Sequence, residues 1–203
     1  FMLWRQRSLS PVLGDTEVRA YIGTLLLCTL LVCAMLLMEH VIDHFPSAFR
    51  QAAFQVVSVA TTTGYATTDY LLWPSFVPVL LLFLGCFVSC AGSTGGGIKM
   101  VRVLVLVKVA QRELVRIIHP RVVYPVALGR TIVPPDIIWA VMAFMLIYGP
   151  TLVGLTMLML PSGLDLETAY TANLACLHNN GPGRAKVGPA GNSAVLSDCQ
   201  IWL

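Results

Sequence analysis

Apolar residues along this chain gather into three runs too long for strands or for ordinary core helices: 21–38, 71 to about 91 with a continuation toward 110, and 137–160. Each reaches the roughly 18 residues that carry a helix across a hydrocarbon layer of about 30 Å, so each predicts a membrane span. Glycine and proline interrupt two of them, which membrane helices tolerate better than soluble ones. Between the spans lies a second pattern. Residues 48–60 form a helix-compatible run of 13 after Phe45-Pro46, with Ser47 as its expected cap. At 1.5 Å per residue such a helix is about 20 Å long, enough to reach the middle of the membrane but not to cross it. The chain must then turn back.

The residues that follow, Thr61, Thr62, Thr63, Gly64 and Tyr65, are expected to return extended, because consecutive β-branched residues disfavour helix and glycine admits backbone shapes that others resist. Non-helical backbone at that depth is allowed where it lines a water-filled cavity or is enclosed by protein. A row of carbonyls facing a pore meets that condition and is how a selectivity filter replaces an ion's hydration shell. The competing reading, a polar external loop over 61–69, leaves the uncharged, small-residue run before it unexplained. The layout recurs 117 residues later. Pro161, Ser162 and Gly163 end the third span, residues 166–177 form a short helix with acidic residues at its start, and His178-Asn179-Asn180-Gly181-Pro182-Gly183 takes the filter position. Superposing Gly64 on Gly181 places Ala52 on Ala169 and Ser58 on Ala175.

Ala91, Gly92, Ser93, Thr94, Gly95, Gly96 and Gly97 break the second long run, and Lys99 follows. Each glycine costs a helix up to about 1 kcal/mol relative to alanine. A flexible plug with one positive charge beneath a cation filter opposes cation passage, and an intramembrane lysine ordinarily faces a pore or partner. The plainer reading is a lysine that snorkels to the boundary and glycines that allow close helix packing. A phosphate-binding loop is excluded, since Lys99 precedes Met100 rather than Ser or Thr.

Charge sets the orientation. Ten of the 13 Lys and Arg lie before the first span or between 99 and 130, which places those stretches in the cytoplasm. The 57% apolar and 11% charged composition and the mean hydropathy of +0.78 agree with a membrane setting. Partition of the basic residues by the membrane also removes the nucleic-acid reading of the net charge of +3. The six cysteines sit largely in apolar or helical sequence, and Cys86 and Cys90, on one expected helix face, lack ligand neighbours for a metal. No acidic residue accompanies His40, His44 or His119 in an enzyme-like arrangement, so no enzyme is expected. The first residues lack the pattern of a secretory signal peptide.

The stretches SVATTTGYATTDY, CAGSTGGGIKMVRVLVLVK and RELVRIIHPRVVYPVALG, with the ending from 174 onward, closely resemble bacterial Trk-type potassium uptake pore subunits of the Trk/Ktr/HKT superfamily. The resemblance implies an all-α membrane protein with four helix–pore-loop–helix repeats in one polypeptide. This chain then supplies a cytoplasmic lead-in (1–19), the third repeat (20–110, with its outer hairpin at 45–70 and broken second helix at 71–110), a cytoplasmic connector (111–135) and a partial fourth repeat (136–203, with its filter hairpin at 161–190).

By the same resemblance the filter comprises Thr61, Thr62, Thr63, Gly64 and Tyr65 with Asn179, Asn180, Gly181 and Pro182, and potassium passes backbone carbonyls near Thr62, Thr63, Gly64, Asn180 and Gly181. Gly92, Ser93, Thr94, Gly95, Gly96, Gly97 and Lys99 match the gating loop. No cofactor is implied in this chain, potassium being the transported ion. The implied partners are the missing pore repeats, a second membrane subunit in a homodimer, and a cytoplasmic ring of nucleotide-binding regulatory subunits; the implied location is the bacterial inner membrane, crossed several times. The family usually reads Asn-Asn-hydrophobic-Gly-Pro-Gly-Leu-Gly at the fourth filter, so Asn180 and Arg184 replace apolar residues here. An ion-coupled solute transporter also contains broken helices. A nonconducting membrane segment or structural subunit is the remaining reading, since the two other repeats and the final helix lie outside this sequence.

Overall fold

The computed structural model describes residues 14–87, 89–90, 92–93, 96–129 and 131–181. Helix α1 (Thr16–Met38) begins five residues before the apolar run, because the Asp15 side chain accepts a hydrogen bond from Glu17 N and caps the helix there. Helix α2 (Phe45–Ala60) also starts earlier than the sequence suggests. The expected cap, Ser47, lies inside it, and His44 takes the cap position without a side-chain bond. Pro46 sits in the first turn, where the absent N–H would have had no partner.

The second long run departs most from expectation. Asp69 Oδ1 accepts from Leu71 N, closing a tight turn over Tyr70–Leu72, and Trp73, which precedes Pro74, is extended at φ −78° and ψ 165°. Helix α3 (Phe76–Phe87) therefore has only 12 residues, about 18 Å, and does not cross a membrane alone. The predicted break separates it from α4 (Met100–Ile118). Because α3 ends at Phe87, Cys90 does not share a helix face with Cys86. The five cysteines among the described residues are free thiols, and no group of three or more His, Cys, Asp or Glu among those residues could hold a metal ion.

After α4 a two-residue antiparallel pair, β1 (Ala127–Leu128) and β2 (Thr131–Ile132), leads into α5 (Pro135–Met159). A turn over Leu160–Ser162 and Gly163 at φ +85° then reverses the chain into α6 (Leu166–His178). Among the described residues the architecture is all-α apart from that small pair.

Helices α1, α2 and α3 share one core, in which Val32, Leu36, Ala48, Ala52, Val56, Val77 and Leu81 are essentially inaccessible. The alanines on α2 allow the close approach. Cys86, Leu152 and Leu174 join α3, α5 and α6, while Val105, Val126, Ile138 and Val141 join α4 to α5. Among the described residues two helices, α1 and α5, are long and apolar enough to span a membrane. Their outer faces carry Leu26, Leu27 and Leu30 on α1, and Trp139, Leu146 and Ile147 on α5, each more than half exposed. Lipid accommodates these faces without the cost that water would impose. The far half of α4 is charged, and there the hydrogen bond from Arg112 holds the Glu113 carboxyl below its usual range.

Candidate ion filter and gate

At the end of α2 the chain does not run straight into an extended segment. Thr61 closes the helix, and Thr62 takes a left-handed conformation at φ +54°. That conformation is uncommon for a β-branched residue and marks local strain. Helix-end hydrogen bonding wins over this preference: Thr62 N donates to Val59 O at 3.1 Å and Thr63 N to Ser58 O at 2.9 Å, satisfying carbonyls that the helix leaves open. Gly64 follows at φ +76°.

The second hairpin repeats this closure residue for residue. Asn179 is left-handed at φ +54° and Gly181 lies at φ +83°. Asn179 N donates to Cys176 O at 3.1 Å, and Asn180 N to Ala175 O at 2.9 Å. The donors and acceptors of these two bonds each sit 117 positions beyond their counterparts in the first hairpin. The superposed pairs Ala52 with Ala169 and Ser58 with Ala175 are buried in both copies. Among the described residues, none donates a hydrogen bond to the backbone carbonyls of Thr62, Thr63, Gly64, Asn179, Asn180 or Gly181. The Tyr65 carbonyl is different, for Ser58 Oγ donates to it at 2.6 Å.

Two residues that hold the first turn carry little signal in the sequence. Ser58 ties back Tyr65, and buried Gln55 donates through Nε2 to Thr68 O at 3.3 Å. Their spacing of three on an otherwise apolar stretch is the available clue. The Thr61 hydroxyl donates to Val57 O at 2.7 Å and lies 2.8 Å from the Thr63 hydroxyl. In the second hairpin Asp165 caps α6 by accepting from Thr168 N at 3.0 Å, and Asn173 Nδ2 donates to Thr156 Oγ1 on α5. Asn180 occupies a packing position: a Cβ built on Gly85 of α3 would lie 2.9 Å from Asn180 Nδ2 and 3.4 Å from Val59 Cγ1. Pro182 lies outside the described residues, as do Thr94 and Gly95 of the gate segment.

The described part of that segment is fixed at its far end. Ile98 N donates to Cys86 O at 3.1 Å and Met100 N to Ser89 O at 2.8 Å, so Ser89 and Lys99 form a short bridge and half-buried Lys99 caps α4. Gly96 and Gly97 press against the last turn of α6. A Cβ on Gly96 would meet Leu177 O at 2.5 Å, and one on Gly97, at φ +79°, would run into the His178 ring. Gly92 and Ser93 are exposed. His178, read from the sequence as part of the filter run, is instead the last residue of α6 and is almost wholly buried.

Long helices with exposed apolar faces, joined by short helices that end in left-handed turns, define an all-α, multi-pass membrane protein. The chain belongs to the TrkH family of cation transport proteins, whose family model matches residues 15–184. It is 37% identical over 203 residues to the Trk system potassium uptake protein TrkH of Salmonella typhimurium, covering all of this chain and 42% of that protein. It is 42% identical over 174 residues to the protein of the same name from Vibrio parahaemolyticus, covering 85% of this chain and 36% of that one. The crystal structure of the potassium transporter TrkH from Vibrio parahaemolyticus superposes with a TM-score of 0.86 at 38% identity, over 94% of this chain and 40% of that one. The chain thus spans about two fifths of the length of these relatives. As a member of this family it is an inner-membrane protein and not an enzyme.

Proposed function

We propose that this chain forms two of the pore hairpins of a potassium uptake pathway. It supplies the third helix–pore-loop–helix unit (20–110) and part of the fourth (136–203), with 1–19 and 111–135 on the cytoplasmic side. The carrying observation is the paired closure of the two filter turns, left-handed at Thr62 and Asn179 and again positive in φ at Gly64 and Gly181, with matching hydrogen bonds. The end of α1 closes by the same bonds, with His40 left-handed, so the helix ending alone is a common one. What the two hairpins share beyond it is a positive-φ glycine two residues later, each time after a short helix, as two units around one pore axis would have it. The carbonyls of Thr62, Thr63, Gly64, Asn180 and Gly181 coordinate the ion. Potassium is the ion named for the relatives. The remaining units come from the rest of the assembly, which works as a membrane dimer under a cytoplasmic nucleotide-binding ring.

Rubidium flux into vesicles containing the complete assembly tests this reading, with potassium, sodium and a neutral solute as competitors. Competition by potassium well above that by sodium is the expected result. Solute-driven transport without rubidium flux, or equal competition by sodium, overturns it.

The segment from Gly92 to Lys99 is the gate in this reading. A unit charge about 10 Å from a permeating cation, at an effective dielectric near 20, opposes it by about 1–2 kcal/mol, less where water screens it. Lys99→Ala is therefore expected to raise basal flux by up to about tenfold while leaving the preference for potassium over sodium in place. Unchanged flux and regulation at equal surface expression would return Lys99 to a boundary role.

A further inference from the structure

A closed circuit of contacts joins the start of α4 to the end of α6. Arg102 on α4 donates through Nη1 to Gly97 O at 3.4 Å, and its guanidinium lies 3.8 Å from the centre of the Phe144 ring on α5. Phe144 stacks on Tyr148 with centroids 5.9 Å apart, and Tyr148 stacks on His178 at 5.8 Å with the rings 9° from parallel. Tyr148 Oη and His178 Nε2 share a hydrogen bond of 2.5 Å. The His178 ring then fills the space over Gly97 that a Cβ would need, which closes the circuit. The next three residues after His178 are the turn Asn179-Asn180-Gly181.

We infer that His178 is a positioning residue which, latched by Tyr148, couples the glycine segment at Gly96–Gly97 to the fourth filter turn. The inference rests on the filter-and-gate reading above and adds the device that joins its two parts. An imidazole suits this place physically. It is flat enough to lie over a glycine backbone, it stacks on a tyrosine, and its ring nitrogen answers a part-buried hydroxyl. Three of its neighbours belong to other elements, Tyr148 to α5 and Gly96 and Gly97 to the broken segment, so no shift of the segment leaves the ring untouched. Arg102 extends the same contact to the first turn of α4, the helix that leads to the cytoplasm. Displacement of α4 thereby pulls at Gly97 O and at Phe144 together.

Tyr148→Phe is the gentlest test, since it removes one hydroxyl and keeps the stack; His178→Ala removes the latch altogether. In the complete assembly each is expected to raise basal rubidium flux about fivefold, the shift that loss of one part-buried hydrogen bond produces in a two-state balance. The double variant should go no further than His178→Ala, because both changes break the same contact. Amide hydrogen exchange over 96–100 supplies a readout independent of transport: Tyr148→Phe should speed it about fivefold while exchange over 28–36 in α1 stays unchanged. Additive flux effects, or exchange over 96–100 equal to the parent's, overturn the latch. A uniform rise in both segments also overturns it, by showing general destabilisation. If the parent assembly carries no selective rubidium flux, the function reading fails, and the exchange measurement still decides the latch.

Discussion

Gly64→Val in the complete assembly should abolish the preference for potassium over sodium and lower rubidium flux at least about tenfold. The backbone at Gly64 lies at φ +76°, two residues after Thr62, which is already left-handed at +54°. A side-chain residue in that region costs roughly 1–2 kcal/mol and a β-branched one more, because its Cβ crowds the flanking carbonyls. The turn has little slack to absorb this. Thr63 N and Gly64 N both point at Ser58 O, at 2.9 and 3.4 Å, and Ser58 Oγ pins Tyr65 O one residue further on. Relief must therefore come from rotating the peptide units around residue 64, whose oxygens are the proposed ligands. Filter coordination depends on the number and aim of such dipoles, so small rotations are expensive. A graded series separates this cause from general damage: Gly64→Asn, which tolerates positive φ best, should retain most preference, Gly64→Ala less, and Gly64→Val least. Competition assays at matched surface expression give the ranking. Equal behaviour of all three would place Gly64 outside the ion path.

The contrast between the two hairpins shows what a sequence can and cannot state. The three apolar runs, the short helices before each filter and the glycine break were legible because each is a local pattern of composition, length or helix-breaking residues. Edges were less so. Ser47 looks like a cap, yet with Pro46 in the first turn the cap falls three residues earlier at His44, and a run counted from residue 71 hides the turn that Asp69 and Pro74 impose. The filter's shape was harder still. Three threonines in a row argue for an extended chain, but the open carbonyls of Val59 and Ser58 draw the next amides back and force Thr62 over. At the matching place in the second hairpin stands Asn179, a residue at ease in the conformation that closure forces on Thr62. His178 could not be read at all, since its partner Tyr148 lies 30 residues upstream and Gly97 lies on yet another element.

Gly96→Ala should give the second large effect, a basal rubidium flux raised about tenfold with regulation blunted and the potassium preference kept. The added Cβ would lie 2.5 Å from Leu177 O and 3.1 Å from His178 Cα. Both are backbone atoms, so no side chain can swing aside, and overpacking of this kind costs about 1–3 kcal/mol. Either the glycine segment or the last turn of α6 must move, and their restraints are unequal. Helix α6 is capped by Asp165, bound to α5 through Asn173, and buried at Thr168, Ala169, Thr171, Ala172, Leu174 and Ala175. Among the described residues, the far end of the segment is held by backbone bonds from Ile98 and Met100 and by the longer contact from Arg102. It is the softer partner, and it should lift away from the filter turn rather than push it. The ratio of potassium to sodium competition checks this directly. A collapse of preference would mean that α6 gives way and that Gly96 helps shape the filter, whereas flux equal to the parent's would mean that the segment does not rest on α6 in the working protein.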